Sequence, residues 1–419
     1  MDAAAAEQPQ SPEAAIARIA SRIGASATAL GREQVPLDAA RGRVLAETVR
    51  LDRDSPPFDH SAMDGYAVRI SDLAEGRDLP VLAESRPGRA APAMPSRRGC
   101  VRIATGAPRP DGAEAVVKRE DVLEHLDDAT GEVVRISVVE GTSPRVGDHW
   151  RLRGENARAG DVLIHAGATI DAAVAASLAA CGIARPQVHR RVRVAILTTG
   201  DEVVPIGVVP TPEQIRNSNG PALAMLLAAR PWIEVARVEH VADEFERLES
   251  MLAESIADHD AVVLTGGVSM GHRDLVRAAI DAQQAEILFH RLPQRPGRPM
   301  LGAIAGRPDR PVPLFGLPGN PLSSLTTARR IVLPTLAAIA GLSMPPPRDV
   351  AVRAEGDLPP GALWRFQLAR LEADGAAMLV SFRSSGDLAA AGRSDGFVEF
   401  EPHARLEAGR RYAFHAWDG

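Results

Sequence analysis

Cysteine is nearly absent from this 419-residue chain: Cys100 and Cys181 are its only two, and they form no CxxC pair. That excludes a disulfide-stapled secreted scaffold and fits a reducing compartment. Lysine is scarcer still, with Lys118 alone among 48 lysines and arginines. Any anion site must therefore use guanidinium groups, whose planar fork can contact an oxyanion through two parallel bonds. No apolar run reaches the length of a bilayer span, and the alanine-rich stretch from Asp171 to Ala184 stops well short of one. The start of the chain has no basic segment followed by an apolar core, so no signal peptide is expected. Net charge is −6 and the pI about 6.0, which leaves no broad basic field for nucleic acid or an acidic membrane. A soluble, cytoplasmic protein is the expectation. The eleven histidines include no HxxxH or HxH pair, and GxxxxGK[ST], GxSxG and a post-strand GxGxxG are all missing. Zinc-site, generic ATPase, serine hydrolase and nicotinamide readings fall with them.

What is present has the texture of several domains, as the length allows. Ser11 to Gly31 carries apolar residues at helical spacing (Ala15, Ile16, Ile19, Ile23) behind a Ser-Pro-Glu start, and Pro36 to Val49 reads as a turn and a second helix. Between Leu51 and Val146, short β-branched runs separated by Gly/Pro turns point to a small antiparallel β unit. An alanine-rich helix follows over Asp171–Cys181, able to pack back on the first helices and so make the β unit an insertion. Val188 to Leu342 alternates strands and helices, which predicts a parallel, doubly wound domain. A Pro345-Pro-Pro-Arg348 linker then leads to short strands and turns from Val350 to Ala416, a small β-barrel or sandwich. The expected division is a split helical domain (11–50 and 148–186), a β-rich insertion (51–147), an α/β domain (187–343) and a C-terminal β domain (344–419).

Three apolar runs in the α/β region end in glycine-rich turns that carry acids or hydroxyls. In an open parallel sheet such loops gather at the carboxyl ends of the strands, where ligands bind. Thr199-Gly-Asp-Glu202 offers two adjacent acids that either bind a metal or form a solvated turn. Thr265-Gly-Gly-Val-Ser-Met-Gly271 places three glycines around a hydroxyl, a backbone nest suited to an anion rather than a plain tight turn. Asp274, beside it, is a first-turn acid unless the fold brings it near Glu202. Pro318-Gly-Asn-Pro321 is a stiff turn with Asn320 as a reasonable N-cap. Gln294-Arg-Pro-Gly-Arg-Pro299 sets two arginines either side of a Pro-Gly turn, a solvated loop or a grip on one tetrahedral oxyanion. Asp59 and Asp64, in Phe58-Asp-His-Ser-Ala-Met-Asp-Gly-Tyr66, flank small residues before a strand. The three loops together predict a phosphate-bearing small molecule held with a divalent cation.

Seven segments in one order carry a resemblance: Asp59-His-Ser-Ala-Met-Asp-Gly-Tyr-Ala67, Thr105-Gly-Ala-Pro108, Arg153-Gly-Glu-Asn156, Thr199-Gly-Asp-Glu202, Gly266-Gly-Val-Ser-Met-Gly-His-Arg-Asp274, Arg295-Pro-Gly-Arg-Pro299 and Leu317-Pro-Gly-Asn-Pro321. From about Ala15 to the C-terminus the chain resembles the molybdopterin molybdenumtransferases, the MoeA-like family that includes the E domain of gephyrin. The resemblance implies an α/β multidomain fold, with a molybdopterin-binding doubly wound domain and a C-terminal β-barrel-like domain. It also implies a homodimer whose α/β domain faces the β insertion of the other subunit. The implied reaction takes adenylyl-molybdopterin and molybdate, hydrolyses the adenylate with Mg²⁺ and leaves molybdenum on the dithiolene with AMP released. The alternative in a different class is a scaffold protein that keeps the pterin site and works through partners. By the same resemblance Glu202, Asp274, Asp59 and the weaker Asp243 would be catalytic, and Asp201, Glu202 and Asp274 would hold metal. Ser61, Met63, Asp64, Thr105, Gly106, Asn219, Gly266, Gly267 and Ser269 would bind substrate. Arg295, Arg298, Pro318, Pro321 and Ser385 would shape the molybdate pocket. Two departures remove a carboxylate: the family often has aspartate where this chain has Asn156 and Asn217.

Overall fold

In the computed structural model, residues 8–24, 30–267, 275–342, 346–353, 361–407 and 409–418 are described; Ser269 and Asp274 lie outside them. The chain forms two compact units, one of Met1–Glu47, Ala166–Ala176 and Ile183–Gly419, the other of Thr48–His165 and Ser177–Gly182.

The larger unit is organised by one strand. Val192–Thr199 (β1) is buried at every position except Arg193, the pattern of a strand covered on both faces. Its side chains alternate: Val192, Val194 and Ile196 join one core, Ala195 and Leu197 the other. The chain then runs through Asn219–Ala228 (α2), Ile233–Val241 (β2), Phe245–Asp258 (α3), Ala261–Thr265 (β3), Leu275–Ala282 (α4), Glu286–His290 (β4), Gln294–Arg295 (β5), Leu301–Arg307 (β6) and Arg310–Leu317 (β7). The sheet order is β2-β1-β3-β7-β6-β4. The first four of these strands are parallel, as expected, and β6 and β4 add an antiparallel edge. Arg307 pairs with Arg310 across a two-residue Pro-Asp connection, and a loop that short can join only antiparallel neighbours. Helix α2 covers one face through Leu223, Leu226 and Leu227, with Pro321–Thr327 (α5) and Leu333–Ile339 (α6) on the same side; α3 and α4 cover the other. The chain steps outward from β1 to β2 and returns to β3, so the switch point lies between β1 and β3.

The N-terminal helix Pro12–Ile23 (α1) is the one the pattern predicts. Ser11 Oγ caps it by accepting from Ala14 N at 3.1 Å, and Pro12 occupies its first turn. Its buried face, Ala15, Ile19 and Ile23, enters the α2/α6 core, each isoleucine contributing roughly 1.5–3 kcal/mol of burial. The alanine-rich helix is observed at Ala172–Ala180. The second helix expected over Pro36–Val49 does not form. Only Leu37–Ala39 makes a helical turn, after which Gly42 adopts φ +70 with no space for a Cβ, which would meet Pro231 Cγ at 2.4 Å. Val44 and Leu45 then bridge to Thr169 and Val188 as extended chain. Tertiary pairing overrides the helical spacing there.

The C-terminal strands Arg348–Arg353 (β8), Trp364–Leu371 (β9), Ala377–Leu379 (β10), Gly396–Phe400 (β11) and Arg411–Ala416 (β12) follow the order β9-β10-β8-β12-β11, and β11 also pairs with β9. The sheet therefore closes into a small barrel. Strand β5 adds to β9 in parallel, Gln294 opposite Trp364 and Arg295 opposite Arg365.

The smaller unit holds a six-stranded sheet running Ala115–Lys118, Gly65–Val68, Cys100–Ile103, Asp78–Ser85, Val133–Val138 and Val122–Leu126. Tyr66, Leu79 and Ile136 are fully buried in its core.

Candidate functional site

At the carboxyl ends of β1, β3 and β7 the glycine-rich loops meet, lining a cavity of about 430 Å³ with Thr198, Thr199, Glu202, Asn219, Gly266 and Pro318 among its walls. Gly266 shows why glycine is required: it sits at φ +94, where a Cβ would lie 2.6 Å from Thr199 Oγ1. Gly267 follows at φ +59, and the Gly266 N–H donates to Leu317 O at 3.4 Å, which ties the turn to β7.

The Glu202 carboxylate folds over Gly200, its Oε2 2.6 Å from where a Cβ of residue 200 would lie. Asp201 Oδ1 accepts from the backbone N–H of Asp243 at 3.0 Å, tying the β2 loop to the β1 loop. Partial burial first, and then the charges of Asp201 and Glu202, push the Asp243 carboxyl above its ordinary range. Among the described residues no three His, Cys, Asp or Glu side chains form a metal-holding group. Mg²⁺ does not need one, because it binds through one or two carboxylates and completes its shell with water and substrate phosphate. Hard carboxylate oxygens in a field crowded enough to raise Asp243 fit such a cation.

Asn217 and Asn219 organise the wall opposite. Asn217 Oδ1 accepts from Gly220 N at 2.9 Å at the start of α2, and its Nδ2 donates to Thr198 Oγ1 at 2.8 Å. An aspartate could keep the first bond and accept from the Thr198 hydroxyl in place of the second. Asn217→Asp is therefore expected to change turnover by less than about fivefold, the scale of one altered hydrogen bond; a tenfold change in steady-state kcat would contradict it. Asn156 is similar: its Oδ1 accepts from Arg151 Nη2 at 3.2 Å, as a carboxylate would. Asn219 Nδ2 donates to Gly319 O at 2.9 Å, and its buried Oδ1 has no partner among the described residues.

A second cavity, of about 670 Å³, lies between the β5–β6 turn, the start of α5 and the barrel. Arg295, Arg298, Arg365 and Arg383 all line it, with Ser385. Among the described residues no carboxylate pairs with any of these four guanidinium groups, whereas Arg353 beside them is held by Asp374 and Glu372. Arginines lining one space without a paired acid have the chemistry to hold an oxyanion. The two cavities share Pro299, Pro318 and Asn320 as a common wall. Asn320 holds the N-cap position of α5, as expected, though its side chain makes no capping bond.

In the smaller unit, the motif residues fold on one another. Asp64 Oδ1 accepts from both Thr105 N (2.7 Å) and Thr105 Oγ1 (2.9 Å), and these bonds hold its carboxyl below the usual range. Gly106 N donates to Ser61 O at 2.8 Å. Ser61 is fully buried with its hydroxyl donating to Met63 O at 2.6 Å, so it shapes the loop and is not exposed to a ligand. Asp59 accepts from Arg153 N at 2.8 Å and faces Arg109 at 3.5 Å, and stays partly exposed.

Residues 10–182 match the family described as the MoeA N-terminal region (domain I and II), and residues 195–338 match the probable molybdopterin binding domain. A molybdopterin molybdenumtransferase of Nostoc sp. is 36% identical over 334 residues, covering 78% of this chain and 74% of the relative. The chain belongs to the molybdopterin molybdenumtransferase family. A Synechocystis sp. molybdopterin molybdenumtransferase is 28% identical across 92% of this chain and 95% of its own length. Among solved structures, a molybdopterin biosynthesis MoeA protein from Pyrococcus horikosii superposes with a TM-score of 0.75 at 27% identity, covering 96% of this chain and 99% of that one.

Molybdenumtransferases are enzymes of molybdenum cofactor biosynthesis, and the resemblance read from seven sequence segments is borne out at the level of family, fold and activity. The structure brings Glu202, Asp243, Asn219, Gly266, Gly267, Pro318 and Pro321 to one cavity and Arg295, Arg298, Pro318 and Ser385 to the other. Arg365, Arg383 and Gln294 escape sequence reading. In a chain whose positive charge is almost all arginine, nothing marks two cavity arginines out from the solvated ones. Among the described residues no helix of this molybdenumtransferase is long and apolar enough to cross a membrane.

Proposed function

We propose that this chain inserts molybdenum from molybdate into adenylyl-molybdopterin, releasing AMP, and works as a cytoplasmic homodimer. The observation that carries the reading is the pair of cavities sharing the wall of Pro299, Pro318 and Asn320. One side offers acids and a glycine turn, the other four arginines with no carboxylate partner among the described residues, so a phosphate-bearing group and a metal oxyanion fit side by side. In this reading the Gly266–Gly267 turn faces phosphate with the Gly267 N–H, the Gly266 N–H being held by Leu317 O, and Asn219 Oδ1 accepts from the ligand. Arg295, Arg298, Arg365 and Arg383 grip molybdate with Ser385 at the rim. Asp201 and Glu202 would hold Mg²⁺, together with Asp274 if it approaches. Bound there, the cation would neutralise charge on the adenylate phosphates. Asp59 and Thr105 complete the site from a second subunit in this reading.

The test is direct. The full chain is given adenylyl-molybdopterin, Mg²⁺ and molybdate, and AMP is measured. Release that depends on molybdate supports the proposal. Tight binding of the adenylate without any AMP release would overturn it in favour of a scaffold role.

A further inference from the structure

Gln294 is wholly buried at the foot of the arginine turn, an unusual place for a carboxamide. Its Nε2 donates to Gly297 O across the turn at 3.0 Å and to Thr327 Oγ1 on α5 at 3.4 Å. Its Oε1 is also buried and has no partner among the described residues. An apolar side chain would fill that space without leaving an orphaned acceptor, so burial alone does not account for glutamine. The donor half of the side chain does. Gly297, at φ +95, brings the turn so close to α5 that a Cβ would lie 2.2 Å from Thr327 Oγ1. The backbone of the turn thus lies directly on the helix, and the Gln294 amide fastens the two. Arg295 and Arg298 leave this turn on either side of Gly297, and both line the arginine cavity. Their spacing depends on where the turn is fastened.

We infer that Gln294 is a positioning residue for oxyanion binding: its amide fixes the Arg295–Arg298 turn against α5 so that both guanidinium groups reach one anion. The inference rests on reading the arginine cavity as the molybdate site. It concerns only how the turn is held, because Gln294 itself need not touch the anion.

Gln294→Met keeps length and removes the donor; Thr327→Val keeps shape and removes the helix acceptor. Binding of molybdate to the full chain is measured calorimetrically without the adenylate, alongside KM for each substrate and thermal midpoints. Gln294→Met is expected to raise the Kd and KM for molybdate about tenfold, roughly the effect of one hydrogen bond on an affinity, and Thr327→Val by less. KM for adenylyl-molybdopterin should stay within twofold or so for both. Unchanged molybdate affinity in both variants would overturn the inference while leaving the molybdate site standing. A parallel loss of affinity for both substrates would also overturn it, because that marks a general loosening. If the unaltered chain binds no molybdate, the oxyanion reading itself falls and takes the inference with it.

Discussion

Glu202→Ala is expected to lower molybdate-dependent AMP release by on the order of a hundredfold, the scale on which acid–base and metal-holding groups act. Glu202 is exposed, so its loss leaves the core intact and the thermal midpoint close to that of the unaltered chain. What it removes is the carboxylate that folds across Gly200 into the cavity formed by the β1, β3 and β7 loops. Asp201 alone does not make up for the loss, because one of its oxygens already accepts from Asp243 N and only the other is left to a cation. The expected kinetic pattern is a fall in kcat with a higher Mg²⁺ requirement and little change in KM for molybdate, whose arginines lie beyond the shared proline wall. AMP release within a few-fold of normal would remove Glu202 from the chemistry. A rise in molybdate KM equal to the fall in kcat would place it in the wrong cavity.

That division of the site into two cavities was only half legible in the residues. The three glycine-rich loops were, because a strand buried on both faces, a positive-φ glycine and a helix start leave a local trace that spacing reveals. Gly266, with its φ of +94 and no room for a Cβ, is such a case. The basic turn was legible too, but Arg365 and Arg383 were not. They come from barrel strand β9 and a loop far along the chain, and only the addition of β5 to β9 brings them to Arg295 and Arg298. Contacts between distant segments leave no periodicity. The fold shows the same boundary. The helix at Pro12–Ile23 carries its cap and apolar stripe locally, whereas Val44 and Leu45 have helical spacing but are drawn into bridges with Thr169 and Val188. Asn217 illustrates a third case, where the sequence shows a missing carboxylate and only the hydrogen bonds to Gly220 and Thr198 show that the amide takes over its cap.

Glu399→Ala is expected to cost about 3–5 kcal/mol of stability, the usual penalty for removing one partner of a buried ion pair. Glu399 on β11 receives Arg330 Nε at 2.6 Å and Nη2 at 2.9 Å, and His415 Nε2 at 2.6 Å. All three side chains are more than nine-tenths buried, and Arg330 also contacts Glu13 of the N-terminal helix. Alanine would leave the guanidinium buried with that one acid. Arg330 lies in the helical segment continuing from α5, while β11 belongs to the barrel that carries Arg365, so the clasp joins the two walls of the arginine cavity. Weaker molybdate binding should accompany the lower midpoint. The clasp also predicts an acid limit. Burial pushes the His415 imidazole below its ordinary value, so it remains neutral and donates to Glu399. Burial alone would raise the Glu399 carboxyl, but the hydrogen bonds from His415 and Arg330 outweigh it and hold that group low. Both folded values lie below the unfolded ones, so the unfolded chain binds more protons as pH falls and stability declines. The decline starts near pH 6.5 through His415, and Glu399 adds to it below about pH 4.3. His415→Phe keeps a ring against Phe397, which His415 stacks on at 4.9 Å, and removes the titrating group. Urea denaturation between pH 8 and pH 5 should then lose the part of its slope near pH 6.5 that His415 supplies, while His189, also held below its ordinary value by burial, keeps the rest. A slope unchanged in His415→Phe, or a Glu399→Ala chain as stable as the original, would show that the clasp contributes nothing.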